Sequence, residues 1–266
     1  MEVIICADAT EAARLAAGKV ARVCRDAGPE PVLGVATGSS PLKLYAELTR
    51  LVEAGVLDLS RASAFALDEY VGLPPGHPES YAEVIRRTVT EPLGLDQSRV
   101  HTPDGFATDI HAAASAYEAA IRAAGGIDIQ ILGIGANGHI GFNEPTSSLA
   151  SRTRIKSLAP RTRADNARFF GSPDEVPLHC LTQGLGTIMD AHALLLIAQG
   201  EAKAAAIAAV VEGPLTALVP GSVLQAHQHA TVIIDEAAAS ELRLADYYRW
   251  TYANKPAWQR FDGELA

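Results

Sequence analysis

Short apolar runs alternate along the chain with longer stretches in which apolar residues recur every three or four positions. Val3–Cys6 reads as a strand and Ala9–Ala27 as a helix ended by Gly28. Pro31–Ala36 is a strand, and Pro41–Ala54 a helix with Pro41 at its first position and Gly55 just beyond its end. Ala62–Leu67 predicts a strand, Ser80–Thr90 and Asp109–Ala124 predict helices, and Ile127–Leu132 a further strand. A less regular region runs to about Leu185. The alternation then resumes with strand Ala193–Ala198, helix Glu201–Val211, strand Ala230–Ile234 and helix Ala237–Arg249. Such alternation means βαβ units and an open, mostly parallel α/β sheet with helices on both faces. No Pro/Gly/Ser-rich linker divides the 266 residues, so a single domain over 1–266 is expected.

Composition sharpens the class. Hydrophobic residues make up 48% of the chain and charged residues 20%, enough for a packed core built mainly of Ala, Val, Leu and Ile, since aromatics are only 6%. A formal net charge of −9 disfavours nucleic acid or an anionic membrane as partner. Cys6, Cys24 and Cys180 are odd in number and form no CxxC pair, which fits a reducing cytoplasm better than a disulfide scaffold. The N-terminal MEVIICADATEAARL has no basic region ahead of its apolar run, and no stretch approaches 18 apolar residues, so a cytoplasmic protein is expected.

Three loops that follow apolar strands carry reactive side chains. The segment ILGIGANGHIGFNEP places Asn137, His139 and Glu144 in a glycine-rich loop after Ile127–Leu132, where an open α/β sheet presents its chemistry. Its GxGxxG match does not read as a dinucleotide site. HIGFNEPTSSL is no amphipathic helix, and the RTRIK stretch is basic where an acid for the ribose belongs. His139 is either a structural imidazole or a proton-transfer group whose tautomer Glu144 fixes. Thr37-Gly38-Ser39-Ser40, ahead of the Pro41 helix, reads as an anion cradle or as a serine N-cap; it is no Walker loop. Asp68-Glu69-Tyr70 follows the Ala62–Leu67 strand, and a carboxylate there is a general base in a partly dry site, a solvated strand-end acid or a cap.

From Arg152 to Arg168 the chain holds six basic residues against Asp165 alone. Arg152, Arg154 and Lys156 alternate, so on a strand they share a face, either solvated or holding an anion. Lys203 by itself reads as another exposed lysine. The histidines carry no metal signature: only His227 and His229 are closely spaced, and the zinc-deaminase pattern is absent.

The segments VLGVATGSSPLKLY, ALDEYVGLPPGHPESY, GIGANGHIGFNEPTSSLASRTRIK, TRADNARFF and LTQGLGTIMDA, in this order and over nearly the whole chain, resemble the glucosamine-6-phosphate deaminase family. The resemblance implies a three-layer Rossmann-like fold and conversion of glucosamine 6-phosphate to fructose 6-phosphate and ammonia without metal or organic cofactor. It assigns Asp68 as the base at C2 and His139 as the ring-opening group, with Asn137 and Glu144 as its supports. It places the phosphate at Thr37, Gly38, Ser39 and Ser40, with Arg168 and Lys203 as cationic clamps, and a lid around 162–176. Some members carry Asp where this chain has Asn137, which implies altered pH dependence. Ser147, Arg154, Lys156 and Ser157 match an allosteric N-acetylglucosamine 6-phosphate site of the hexameric bacterial branch, and a homo-oligomer is implied. That site's C-terminal tyrosine has no counterpart, since Arg249 stands there beside Tyr247 and Tyr248. Two rivals share the architecture: a 6-phosphogluconolactonase, against which Asp68 and GHIGFNEP argue, and a sugar-phosphate-sensing regulator domain. The second calls for an appended helix-turn-helix, for which the chain, opening on a strand, leaves no expected room.

Overall fold

The structure, a computed structural model, describes residues 1–261. The last five positions of the expected 1–266 domain lie outside the described residues. In chain order the strands are β1 Glu2–Cys6, β2 Val32–Val35, β3 Ser63–Ala66, β4 Asp68–Tyr70, β5 Val100–His101, β6 Ile129–Leu132, β7 Arg154–Ser157, β8 His179–Thr182, β9 Ala193–Ala198 and β10 Ala230–Asp235. The α-helices are α1 Ala9–Ala27, α2 Leu42–Glu53, α3 Tyr81–Ile85, α4 Ile110–Ala123, α5 Pro160–Asn166, α6 Leu185–Met189, α7 Ala204–Val211 and α8 Ala245–Ala253.

Seven strands form one sheet in the order β1-β10-β9-β6-β2-β3-β5, and every pairing in it is parallel. The side-chain period of two divides its core between two faces. Ile4, Leu33, Ile129, Ile131, Leu195 and Ile233 pack with α1 and α2, and Val3, Val32, Leu132, Leu194, Leu196 and Val232 with α4, α6 and α7. Asp8 caps α1 by accepting from the N–H groups of Thr10 and Glu11, and Gly28 ends it at φ +93°.

Two sequence expectations change. The irregular region before Leu185 contributes β7 and β8 to a second, antiparallel sheet, β4-β8-β7, completed by Asp68–Tyr70, and its strands are too short to leave a periodic signal. The expected helix Ala237–Arg249 begins only at Ala245. Ahead of it, Asp235 Oδ1 takes the Ala238 N–H at 2.8 Å, and the Glu212 carboxylate takes those of Arg243 and Leu244 at 3.0 and 2.9 Å. Helix-favouring alanines lose to these side-chain acceptors.

Candidate active site

From β2 the chain builds outward through β3 to β5, and from β6 it builds the other way through β9 to β10. The loops after these adjacent strands diverge and open a crevice at their carboxyl ends, the usual ligand position of an open α/β sheet. A cleft of about 200 Å³ lies there. Thr37, Gly38, Ser39, Ser40, Asp68, His139, Arg168 and Lys203 all line it. Asn137 and Glu144 do not; they stand behind His139.

The loop after β6 is a tight turn, not a helix start. Gly135 N–H donates to His139 O at 2.9 Å, and Gly138, at φ +80°, donates to Gly135 O at 3.0 Å. A Cβ on Gly135 would sit 2.2 Å from His139 Cε1, so the imidazole rests against a bare Cα that no other residue offers. His139 Nδ1 is 3.5 Å from Glu144 Oε2, longer than a well-formed hydrogen bond. Asn137 Nδ2 donates to that same oxygen at 2.7 Å, and Thr162 Oγ1 donates to Oε1 at 2.5 Å. Burial opposes charge on Glu144, yet His139, Thr162 and Asn137 around its oxygens outweigh burial and bring its pKa down to about 2. Glu144 is therefore a fixed anion beside an imidazole that lines the cleft, an arrangement that favours one ring orientation. Beneath it, buried Asn143 donates to Ile140 O at 3.0 Å and Gln183 O at 2.8 Å, which pins the loop to the end of β8.

Asp68 and Glu69 are adjacent buried acids with opposite duties. Glu69 accepts from the backbone N–H groups of Tyr70, Tyr81 and Ala82 at 2.8, 2.9 and 2.8 Å and anchors the start of α3. Asp68, only 5% exposed, lines the cleft. Burial, with the charge of Glu69 second, holds its carboxyl well above the usual carboxylate range. Its Oδ2 comes within 3.6 Å of where a Cβ on Gly141 would lie. A basic, partly dry carboxylate and a held imidazole thus share one cleft, and together they can move protons at two positions of one small ligand.

At the other end of the cleft the helix N-cap reading of the serines fails. Pro41 occupies the cap position of α2, with no side-chain capping bond. The hydroxyls of Ser39 and Ser40 are not spent on capping, and Gly38 turns the chain at φ +90°. Uncapped N–H groups at the start of α2 add to an anion cradle. Lys203 is no simple surface lysine. Its Nζ donates to Ile134 O at 2.7 Å, and burial, reinforced by Arg168 and opposed by Asp165, lowers its pKa. Arg168 lies with its guanidinium 4.7 Å over the Phe169 ring.

The basic stretch beyond Arg152 needs one correction. Arg154 and Lys156 do lie on a strand, but Arg152 is not without acidic neighbours: Glu118 of α4 and Asp190 meet it at 2.7 and 2.6 Å. Both acids are more than 30 residues away along the chain, which hides the pairing from sequence. Arg154 donates to Asn143 Oδ1 at 2.7 Å, Ser147 is buried, and Lys156 and Ser157 sit on β7; none of these four lines the cleft. Arg249 pairs with Glu236 and Asp246 at 2.6 and 2.9 Å. His227 is occupied by Ala191 O at 2.9 Å and the His229 N–H at 3.0 Å, a structural role. Tyr81, Thr162, Asp165 and Asn166 also line the cleft and were not singled out from sequence. The TRADN segment was marked in sequence only by the family resemblance and the expected lid; the roles of its individual side chains show in the fold contacts.

The family model described as glucosamine-6-phosphate isomerases/6-phosphogluconolactonase matches residues 7–233. A glucosamine-6-phosphate deaminase of Pseudarthrobacter chlorophenolicus is 61% identical over 259 residues, covering 97% of this chain and 99% of the relative. One of Cutibacterium acnes is 61% identical over 251 residues, covering 94% and 96%. Among solved structures, one described as a monomeric glucosamine-6-phosphate deaminase aligns with TM-score 0.88 at 39% identity, covering 91% of this chain and 100% of the other. The 6-phosphogluconolactonase from Trypanosoma cruzi aligns with TM-score 0.73 at 18% identity, covering 91% and 97%, a likeness of fold alone. With its parallel sheet, switch-point cleft and matched span, the chain belongs to the glucosamine-6-phosphate isomerase/6-phosphogluconolactonase family.

Proposed function

We propose that the chain is a glucosamine-6-phosphate deaminase that converts glucosamine 6-phosphate and water to fructose 6-phosphate and ammonia. The observation that carries this is the shared cleft: Asp68 and His139 line it together with the Thr37–Ser40 loop, Arg168 and Lys203. The phosphate sits in that loop, and its binding energy places the sugar's C1 and C2 over the two proton-moving groups. His139, held by Glu144, takes the proton from O1 and returns one to O5, opening the pyranose ring. Asp68 takes the proton from C2, giving an enolamine; protonation at C1 yields the C2 imine. Water adds to the imine carbon and ammonia leaves, so the ketose forms with no net oxidation. Each step is proton transfer or hydrolysis, which these side chains supply without a metal or organic cofactor.

Ammonia release from glucosamine 6-phosphate, beside hydrolysis of 6-phosphogluconolactone, tests the reading. Turnover of the first with none of the second supports it; the reverse result replaces it with a lactonase.

Residues 162–176 are the lid in this reading, because Thr162, Asp165, Asn166 and Arg168 reach the cleft from one side. Ser147, Arg154, Lys156 and Ser157 form the activator site for N-acetylglucosamine 6-phosphate in a homo-oligomer, a hexamer. The relative described as monomeric means assembly is no family-wide requirement. Light scattering with saturation curves, with and without that activator, decides both; a monomer with unchanged hyperbolic curves removes them. The workplace proposed is the cytoplasm, with no nucleic-acid or membrane partner. Among the described residues no helix is long and apolar enough to cross a membrane.

A further inference from the structure

Helix α5 touches both halves of the catalytic machinery through one face. Thr162 and Asn166 are four residues apart, so they project from the same side of the helix. Thr162 Oγ1 donates to Glu144 Oε1 at 2.5 Å, and Asn166 Nδ2 donates to Tyr70 Oη at 2.9 Å. Tyr70 lies two residues from Asp68 on β4, on the same strand face, and its hydroxyl meets that of Tyr81 at 3.3 Å. Tyr81 lines the cleft beside Asp68. From another side Arg163 Nη2 ties the helix to the end of the same 162–176 segment, donating to Pro173 O and Val176 O, both at 2.9 Å. The segment therefore has internal bonds that do not depend on Thr162 or Asn166.

We propose that Thr162 and Asn166 are positioning residues of the deaminase. Seating α5 sets Glu144, and through it His139, at one end, and Tyr70 beside Asp68 at the other, so that ring opening and proton abstraction are aligned by the same helix. Glu144 Oε2 is held by Asn137, and among the described residues Thr162 is the side chain that donates to Oε1. Without that donor the buried carboxylate turns toward other partners and the imidazole loses its orientation.

This proposal rests on the deaminase reading, and two measurements keep them separable. Thr162→Val, of nearly equal volume, lowers kcat about tenfold with KM within about threefold, and Thr162→Ser regains most of the loss. In a Glu144→Ala background the same Thr162→Val change costs less than about twofold, because the carboxylate it acts through is gone. Asn166→Ala behaves likewise against Tyr70→Phe. An equal loss in both backgrounds, or a loss that only tracks a falling Tm, overturns the proposal. Hydrogen exchange needs no turnover: protection of amides 137–144 falls in Thr162→Val while that of α4 holds. Unchanged protection overturns the proposal, whereas wild-type protein that releases no ammonia sinks the substrate reading alone.

Discussion

Asn137 reaches past the imidazole it was expected to orient: its Nδ2 donates to Glu144 Oε2 at 2.7 Å, the oxygen that faces His139 Nδ1 at 3.5 Å. Its own Oδ1 accepts from the His139 backbone N–H at 3.2 Å. The amide therefore holds the carboxylate and the loop, while the carboxylate holds the ring. Asp at this position replaces a donor with a second negative charge. Both changes raise the pKa of Glu144 from about 2 toward its ordinary value of 4.5. On acidification Glu144 then protonates sooner, so Asn137→Asp moves the acid limb of the kcat profile to higher pH, with turnover retained within about tenfold. An unmoved profile removes this account of Asn137.

The proposed base, Asp68, is a source of instability in the fold. Its folded pKa lies well above the ordinary value because burial and Glu69 disfavour the anion. Between the unfolded and folded pKa values the native state binds more protons, so this group's contribution to stability worsens as pH rises through that window. Asp68→Asn removes the charge with little change of shape. The variant loses about a hundred- to ten-thousandfold in kcat, as loss of a general base requires, yet melts at a higher temperature at neutral pH. Calorimetry beside an ammonia assay reads both, and a lower Tm in the variant contradicts the desolvated-base assignment.

Glu144 carries the opposite sign. Its pKa is lowered on folding, so its anion stabilises the fold above pH 4.5 and that contribution fades as pH falls toward 2. Glu144→Gln removes that part of the acid dependence, and the slope of stability against pH flattens in this window in acid-unfolding curves. An unchanged slope means the carboxylate is not held as described.

The βαβ alternation was legible because long amphipathic helices and buried parallel strands leave strong periodic signals, and α1 and β9 fall at their predicted bounds. The site was legible where reactive residues directly follow the parallel strands: Asp68, His139 and Thr37–Ser40 converge at the carboxyl ends of β3, β6 and β2. What stayed hidden are pairings across long separations. Thr162 meets Glu144, Asn166 meets Tyr70 across 96 residues, and Glu118 answers Arg152. Adjacent Asp68 and Glu69 were separated in sequence only by the family resemblance, since it takes the N–H groups of Tyr81 and Ala82 to show which acid is structural.

Gly135 leaves the space in which the His139 ring lies. A methyl there would sit 2.2 Å from His139 Cε1, and the ring must move, because the glycine's own N–H is tied to His139 O at 2.9 Å. Gly135→Ala misplaces the imidazole by about an ångström and costs about a hundredfold in kcat, with circular dichroism unchanged. Wild-type turnover from this variant would falsify the placement of the ring.

Lys203 supplies the last test, because its charge depends on pH where the anion needs it. Burial lowers its pKa, so it loses its proton below the ordinary lysine range, and the cradle weakens on that side. The phosphate of the substrate favours the ammonium form, so kcat/KM falls on the alkaline side through the free enzyme's Lys203, and kcat follows at higher pH once ligand is bound. Lys203→Gln abolishes this alkaline limb and raises KM at neutral pH by about tenfold or more, the loss of a charge-assisted contact. Inorganic phosphate is expected to compete with substrate on the wild-type chain and to inhibit the variant correspondingly less. If the variant keeps the wild-type limb and phosphate inhibition, Lys203 is bound to Ile134 O for structure only, and the cradle is the work of Thr37–Ser40 and Arg168.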